Sequence, residues 1–100
     1  MAENRFSSIW DALEDTPEEA LNMRLRSQLM MKVSERISAW EVSQKEAAKR
    51  LGLTQPRLND LLKGKIDKFS LDALVNLTSS ANMHLELSIR DEQTETHAFA

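Results

Sequence analysis

The sequence predicts a mainly α domain of five helices closed by one C-terminal β-strand. Three observations lead there. Apolar residues recur at helical spacing through most of the chain, Thr16, Ser43, Thr54 and Ser70 each stand where a helix can start, and Met83–Arg90 alternates strictly between apolar and polar residues. A chain of 100 residues supplies one modest core and therefore one domain. Residues 1–15 read as an extension, residues 16–90 as the domain, and residues 91–100, polar and without periodicity, as a loose tail.

The elements follow in order. Ser7 or Ser8 can cap a short helix over residues 6–15, with Ile9, Trp10 and Leu13 on one face. Thr16-Pro17-Glu18-Glu19 then places a cap, a first-turn proline and a capping-box glutamate in succession. Leu21, Leu25, Leu29, Val33 and Ile37 recur every fourth residue behind it, widened by Met23, Met30 and Trp40, and predict one long amphipathic helix over about Pro17–Ala39. Ser43-Gln44-Lys45-Glu46 is a second capping box, opening a short helix through Ala47, Ala48 and Leu51 to Gly52. Thr54 caps the next helix, which carries Pro56 in its first turn and runs to about Lys63 and Gly64. Ser70 caps the last, through Leu71, Leu74, Val75 and Leu77 to about Ala81.

The net charge of -3 would argue against a polyanionic partner, but its distribution reverses that. Residues 1–42 sum to -3 and residues 69–100 to -4, whereas residues 43–68 hold seven basic and three acidic side chains. Only that middle segment can set a positive surface against phosphate. A solvated helical surface that happens to be basic would give the same count, so charge alone does not decide.

Other classes of function find less support. The chain has no cysteine, which removes disulfides and thiolate metal sites and suits a reducing cytoplasm. His84 and His97 stand in the strand and the tail without a ligand-like arrangement, and no phosphate-binding glycine loop or nucleophile elbow occurs. An enzyme is therefore not expected, nor a metal or other cofactor. No apolar run reaches the roughly 20 residues that span a bilayer, and nothing after Met1–Arg5 resembles an export signal. A cytoplasmic protein without membrane contact is expected.

Two short helices joined by a tight glycine turn within a basic stretch are the recipe for a helix-turn-helix. In such a unit the first helix braces on the backbone of DNA, and the N-terminal part of the second enters the major groove. Ala47 and Ala48 are small where the helices approach, and Leu51 and Leu53 can bury the corner. In the second helix Leu58, Leu61 and Leu62 share one side, opposite Pro56, Asn59, Asp60 and Lys63. The run Ser43–Leu58, continued by Leu61-Leu62-Lys63-Gly64-Lys65 and Phe69–Leu74, resembles the Cro/C1-type (XRE) helix-turn-helix family, over roughly residues 20–90. The Gln55-Pro56-Arg57 start, the Gly64-Lys65 loop and the closing strand are similar to small XRE proteins of HigA type, many of which are antitoxins.

That resemblance implies a lambda-repressor-like arrangement and an operator DNA partner. Gln44 would meet a phosphate, Gln55 a phosphate or an adenine edge, and Arg57 a guanine. Thr54, Asn59 and Lys63 lie along the same helix start and exposed side. Lys65 and Lys68 would contact the backbone, which positions without reading sequence. The family often carries a polar donor near Asp60; an acid there would accept from cytosine or orient Arg57 one turn earlier. The HigA likeness further implies a RelE-like ribonuclease toxin as partner and repression of the protein's own operon. A module that chiefly holds a toxin and a stand-alone phage-type regulator both stay open as alternatives.

The strand has no partner elsewhere in the sequence, and a lone strand leaves backbone groups unpaired. Pairing with a second copy, through Met83, Leu85, Leu87 and Ile89, would make a homodimer that presents two reading helices to a palindromic site. The alternative is extended chain that packs Leu85 and Leu87 on the helices. Phe6, Ile9, Trp10 and Leu13, with Met23, Met30 and Met31, form either a partner surface or an extension of the core; the sequence does not choose.

Overall fold

A computed structural model describes residues 16–91, which form four α-helices and one 3-10 turn. Helix α1 (Pro17–Trp40) starts at Thr16, whose hydroxyl accepts from the Glu19 N–H at 3.1 Å. Pro17 lacks only an N–H that the first turn would leave unsatisfied, and Glu18 and Glu19 meet the positive end of the helix. The expected row from Leu21 to Ile37 is buried only at its far end. On a helix of 3.6 residues per turn, a strict fourfold repeat rotates by about 40° per step, so the row winds around the helix. Met30, Val33 and Ile37 face the core, whereas Leu25 and Leu29 are half-buried and Leu21 remains 51% exposed.

Helix α2 (Gln44–Leu51) begins at Ser43, whose Oγ accepts from the Glu46 N–H at 3.1 Å. Its end is a Schellman turn: Gly52 N–H reaches Lys49 O at 3.2 Å and Leu53 N–H reaches Ala48 O at 2.9 Å. Gly52 takes φ 69°, and the space where a Cβ would stand is open. Gly52→Ala is therefore expected to cost backbone strain alone, about 1–2 kcal/mol, read as a lower urea midpoint. An unchanged midpoint would show that the turn does not need the left-handed conformation.

Helix α3 (Gln55–Leu62) repeats the plan. Thr54 Oγ1 accepts from Arg57 N–H at 3.2 Å, and the end closes through Gly64 N–H to Leu61 O at 3.0 Å and Lys65 N–H to Asp60 O at 3.1 Å. The loop expected next contains a 3-10 turn, Ile66–Lys68. Helix α4 (Leu71–Ser80) starts at Ser70, which accepts from Ala73 N–H at 3.1 Å.

α1 lies along α4, α2 packs on α3, and the 3-10 turn rests on α1. Between them lies one core: Met30, Val33 and Ile37 of α1, Ala47, Ala48 and Leu51 of α2, Leu58 and Leu61 of α3, Phe69, and Leu74, Leu77 and Ala81 around α4. The two alanines are buried at the α2 contact, where a larger side chain would separate the helices. Thr78, the buried polar residue, donates to Val75 O at 2.6 Å and so needs no outside partner.

One expectation falls outside the described residues, and one is corrected here. Among the described residues the helices number four, because the expected helix over residues 6–15, with Phe6, Ile9, Trp10 and Leu13, lies outside them. No β-strand forms among the described residues either. Met83 N–H bonds to Thr78 O at 2.8 Å and Met83 is half-buried, but the chain beyond it leaves the core. Leu85 is 46% exposed, Leu87 81% and Ile89 82%. A ladder needs a second extended segment, and the described chain contains none. The alternative of Leu85 and Leu87 packing on the helices is not what the structure shows for Leu87.

Candidate nucleic-acid interface

The helix-turn-helix unit is built from local chemistry. Ser43, Gly52 and Thr54 fix where α2 ends and α3 begins, and Leu51, Leu58 and Leu61 hold the pair to the core. Each helix thus presents an N-terminus whose first N–H groups have no intrahelical acceptor, a setting that favours anions. Gln44 and Gln55 occupy the first position of α2 and α3 and both are exposed. Thr54 is also exposed; its Oγ1 accepts from the Arg57 N–H, which leaves the hydroxyl hydrogen able to donate to a phosphate oxygen. Further along α3, Asn59 is half-buried and Lys63 exposed.

The basic segment divides into two kinds of residue. Lys45, Lys49, Lys63 and Lys68 are exposed. The other cations are engaged within the fold. Arg50 bonds to Glu46 at 3.1 Å and lies over the Trp40 ring at 5.1 Å, tying α2 to the end of α1. Glu46 therefore serves Arg50 rather than the return half of a capping box. Lys65 pairs with Asp60 at 3.5 Å, with about half its side chain exposed. Such a pair in high dielectric is weak enough for a phosphate to compete for the ammonium.

Arg57 stands apart from the expectation drawn for it. It is half-buried, its guanidinium lies 4.2 Å from the Phe69 ring centroid, and its Nη1 donates to Lys68 O at 2.9 Å. Asp60 does not orient it, since the carboxylate is turned to Lys65. Arg26, not anticipated from sequence, completes this region. Its Nη1 donates to Ile66 O at 3.0 Å and Phe69 O at 3.3 Å, while Nε donates to Asn22 at 2.7 Å. A signal for it existed: Arg26 stands four residues before Met30 and seven before Val33, on the buried stripe of α1, where a cation requires carbonyl or carboxylate partners. No group of metal-ligating side chains occurs among the described residues. The residues expected to pair strands, Met83, Leu85, Leu87 and Ile89, lie on the C-terminal segment that follows α4.

Residues 12–90 match the helix-turn-helix domain family. Among solved structures, one described as an XRE family transcriptional regulator is similar at a TM-score of 0.66 and 28% identity, covering 70% of this chain and 79% of that one. No curated protein matches the chain.

Proposed function

We propose, from the premise that this chain belongs to the helix-turn-helix domain family and is of XRE type, that it is a sequence-specific DNA-binding transcriptional regulator. The observation that carries this is the α2–Gly52–α3 unit, which exposes Gln44, Thr54 and Gln55 at two helix N-termini and Lys63 at the C-terminal end of α3. Gln44 and Thr54 suit phosphates, Gln55 can read an adenine edge through its amide, and Asn59 stands one turn further in. Lys63, Lys65 and Lys68 add backbone contacts, and Asp60 a candidate acceptor for cytosine. A gel shift on the DNA upstream of the protein's own gene tests the reading. Affinity should fall steeply between 50 and 200 mM salt, and Gln55→Ala should cost about 1–3 kcal/mol on the preferred site. Binding indifferent to both would sink it.

The acting species in this proposal is a homodimer. Leu87 and Ile89, four-fifths exposed on an extended segment, support it, since a second copy can supply the missing strand. The family resemblance supports a finer role, an antitoxin that represses its own operon and holds a RelE-like ribonuclease toxin. Co-expression with a small basic reading frame adjacent to the gene checks that role: a stable complex is expected, and toxicity unrelieved by this protein would refute it.

A further inference from the structure

Arg57 and Arg26 reach the same short segment from two different helices. Arg26 comes from α1 and donates to the carbonyls of Ile66 and Phe69. Arg57 comes from the first turn of α3 and donates to the carbonyl of Lys68 while covering the face of Phe69. The Phe69 ring, 1% exposed, sits in the core beneath, so the guanidinium is stacked on an immobile surface. The segment is also bound to the far end of α3 through Lys65, by its N–H to Asp60 O and its ammonium to the Asp60 carboxylate. Three carbonyls of Ile66–Phe69 therefore end on arginines, and the loop that bears Lys65 and Lys68 is held along α3 at both ends.

We propose that Arg57 is a positioning residue rather than a base reader, and that with Arg26 it clamps the Lys65–Phe69 loop so that the two lysines meet phosphate beside the groove α3 enters. The proposal rests on the DNA-binding reading above and assigns the division of labour within it. A guanidinium that left Phe69 to reach a guanine would give up the ring contact and exchange the Lys68 carbonyl bond for water, whereas in place it presets two phosphate contacts. Sequence choice then falls to Gln55 and Asn59. Arg26 supplies the control, because its side chain bonds to the loop from the α1 side and has no place among the exposed residues of α3.

The test compares Arg57→Ala, Arg57→Lys and Arg26→Ala in the full chain. Binding to the preferred upstream DNA, to single-base variants of it and to random duplex is measured across salt concentrations. Expected for both alanine variants is a similar loss on every duplex, about 10-fold, a salt slope shallower by about 1–2, and an unchanged order of base preference. Arg57→Lys should not restore affinity, since an ammonium does not reproduce the planar stack on Phe69 together with the carbonyl bond. Loss confined to the preferred site, with relaxed choice at one base pair, would overturn the proposal and return Arg57 to the groove. Backbone relaxation of Lys65–Phe69 provides the DNA-independent arm. Order parameters near 0.85 in the parent should fall below about 0.6 in Arg57→Ala if the clamp exists. A loop equally ordered without Arg57 would refute the positioning role. If the parent protein binds no DNA, the regulator reading fails, while the relaxation result still decides the clamp.

Discussion

Phe69→Ala is expected to remove about 3–5 kcal/mol of folding stability, a large share of the roughly 5–15 kcal/mol that holds a small domain folded. The ring is 1% exposed and is the largest fully buried side chain among the described residues, placed between the 3-10 turn and α4. Its removal leaves a cavity that neighbours cannot refill, because the backbone on both sides is tied to arginines and to the Ser70 cap. It also strips Arg57 of the surface over which its charge rests. Urea unfolding followed by circular dichroism measures the loss. Phe69→Leu, which refills most of the volume without a ring, should cost distinctly less. A Phe69→Ala loss below about 1 kcal/mol would mean that the residue is not the keystone of this corner.

The second large effect is expected at the other end of the domain. Leu87→Asp combined with Ile89→Asp should convert a dimer into monomers and lower affinity for a palindromic operator by at least about 100-fold, the loss expected when two linked binding events become separate. The folded core should be untouched, since the two side chains are 81% and 82% exposed. In an antiparallel ribbon centred on Leu87, that residue faces its own copy and Leu85 faces Ile89 of the second chain, making a central apolar row, with Met83 opposite Asp91 at each end. Glu86 is then diagonal to Arg90, an opposite-charge neighbour, and to Glu86 of the second chain rather than directly opposite it. Centring on Glu86 would set two carboxylates face to face, and centring on Ser88 would set Leu85 against Asp91. The chain's lack of cysteine makes this register measurable. Leu87→Cys should oxidise to a covalent dimer, because residues on the two-fold axis approach to disulfide range. Sedimentation showing a monomeric parent, or unimpaired operator binding by the double variant, would end the proposal.

Much of the candidate interface was legible because it is made by near neighbours in the chain. Thr16, Ser43, Thr54 and Ser70 each cap through a bond to the third residue on. Gly52 and Gly64 end α2 and α3 through bonds spanning five residues at most. Side-chain type and spacing contain that information, so α2, α3 and the turn between them follow from sequence with boundaries close to those observed. The resemblance to the XRE type, carried by the same residues, is borne out by the family match over residues 12–90 and by the solved regulator it is similar to.

What the sequence by itself determined is thus the helix-turn-helix at Ser43–Lys65, its caps and its position in the basic segment. Only the tertiary structure decided where its arginines go. Arg57 meets Lys68 eleven residues away, and Arg26 meets Phe69 across 43 residues, contacts that exist only once the chain has folded back on itself. The same holds for α1, whose fourfold leucine row fits a helix but cannot say which part of the winding stripe α4 will cover. For Met83–Arg90 the alternating pattern prescribes an extended segment with two faces, yet a strand is a property of two segments. Its hydrogen bonds need a partner that the described chain does not contain, so one copy folds without it.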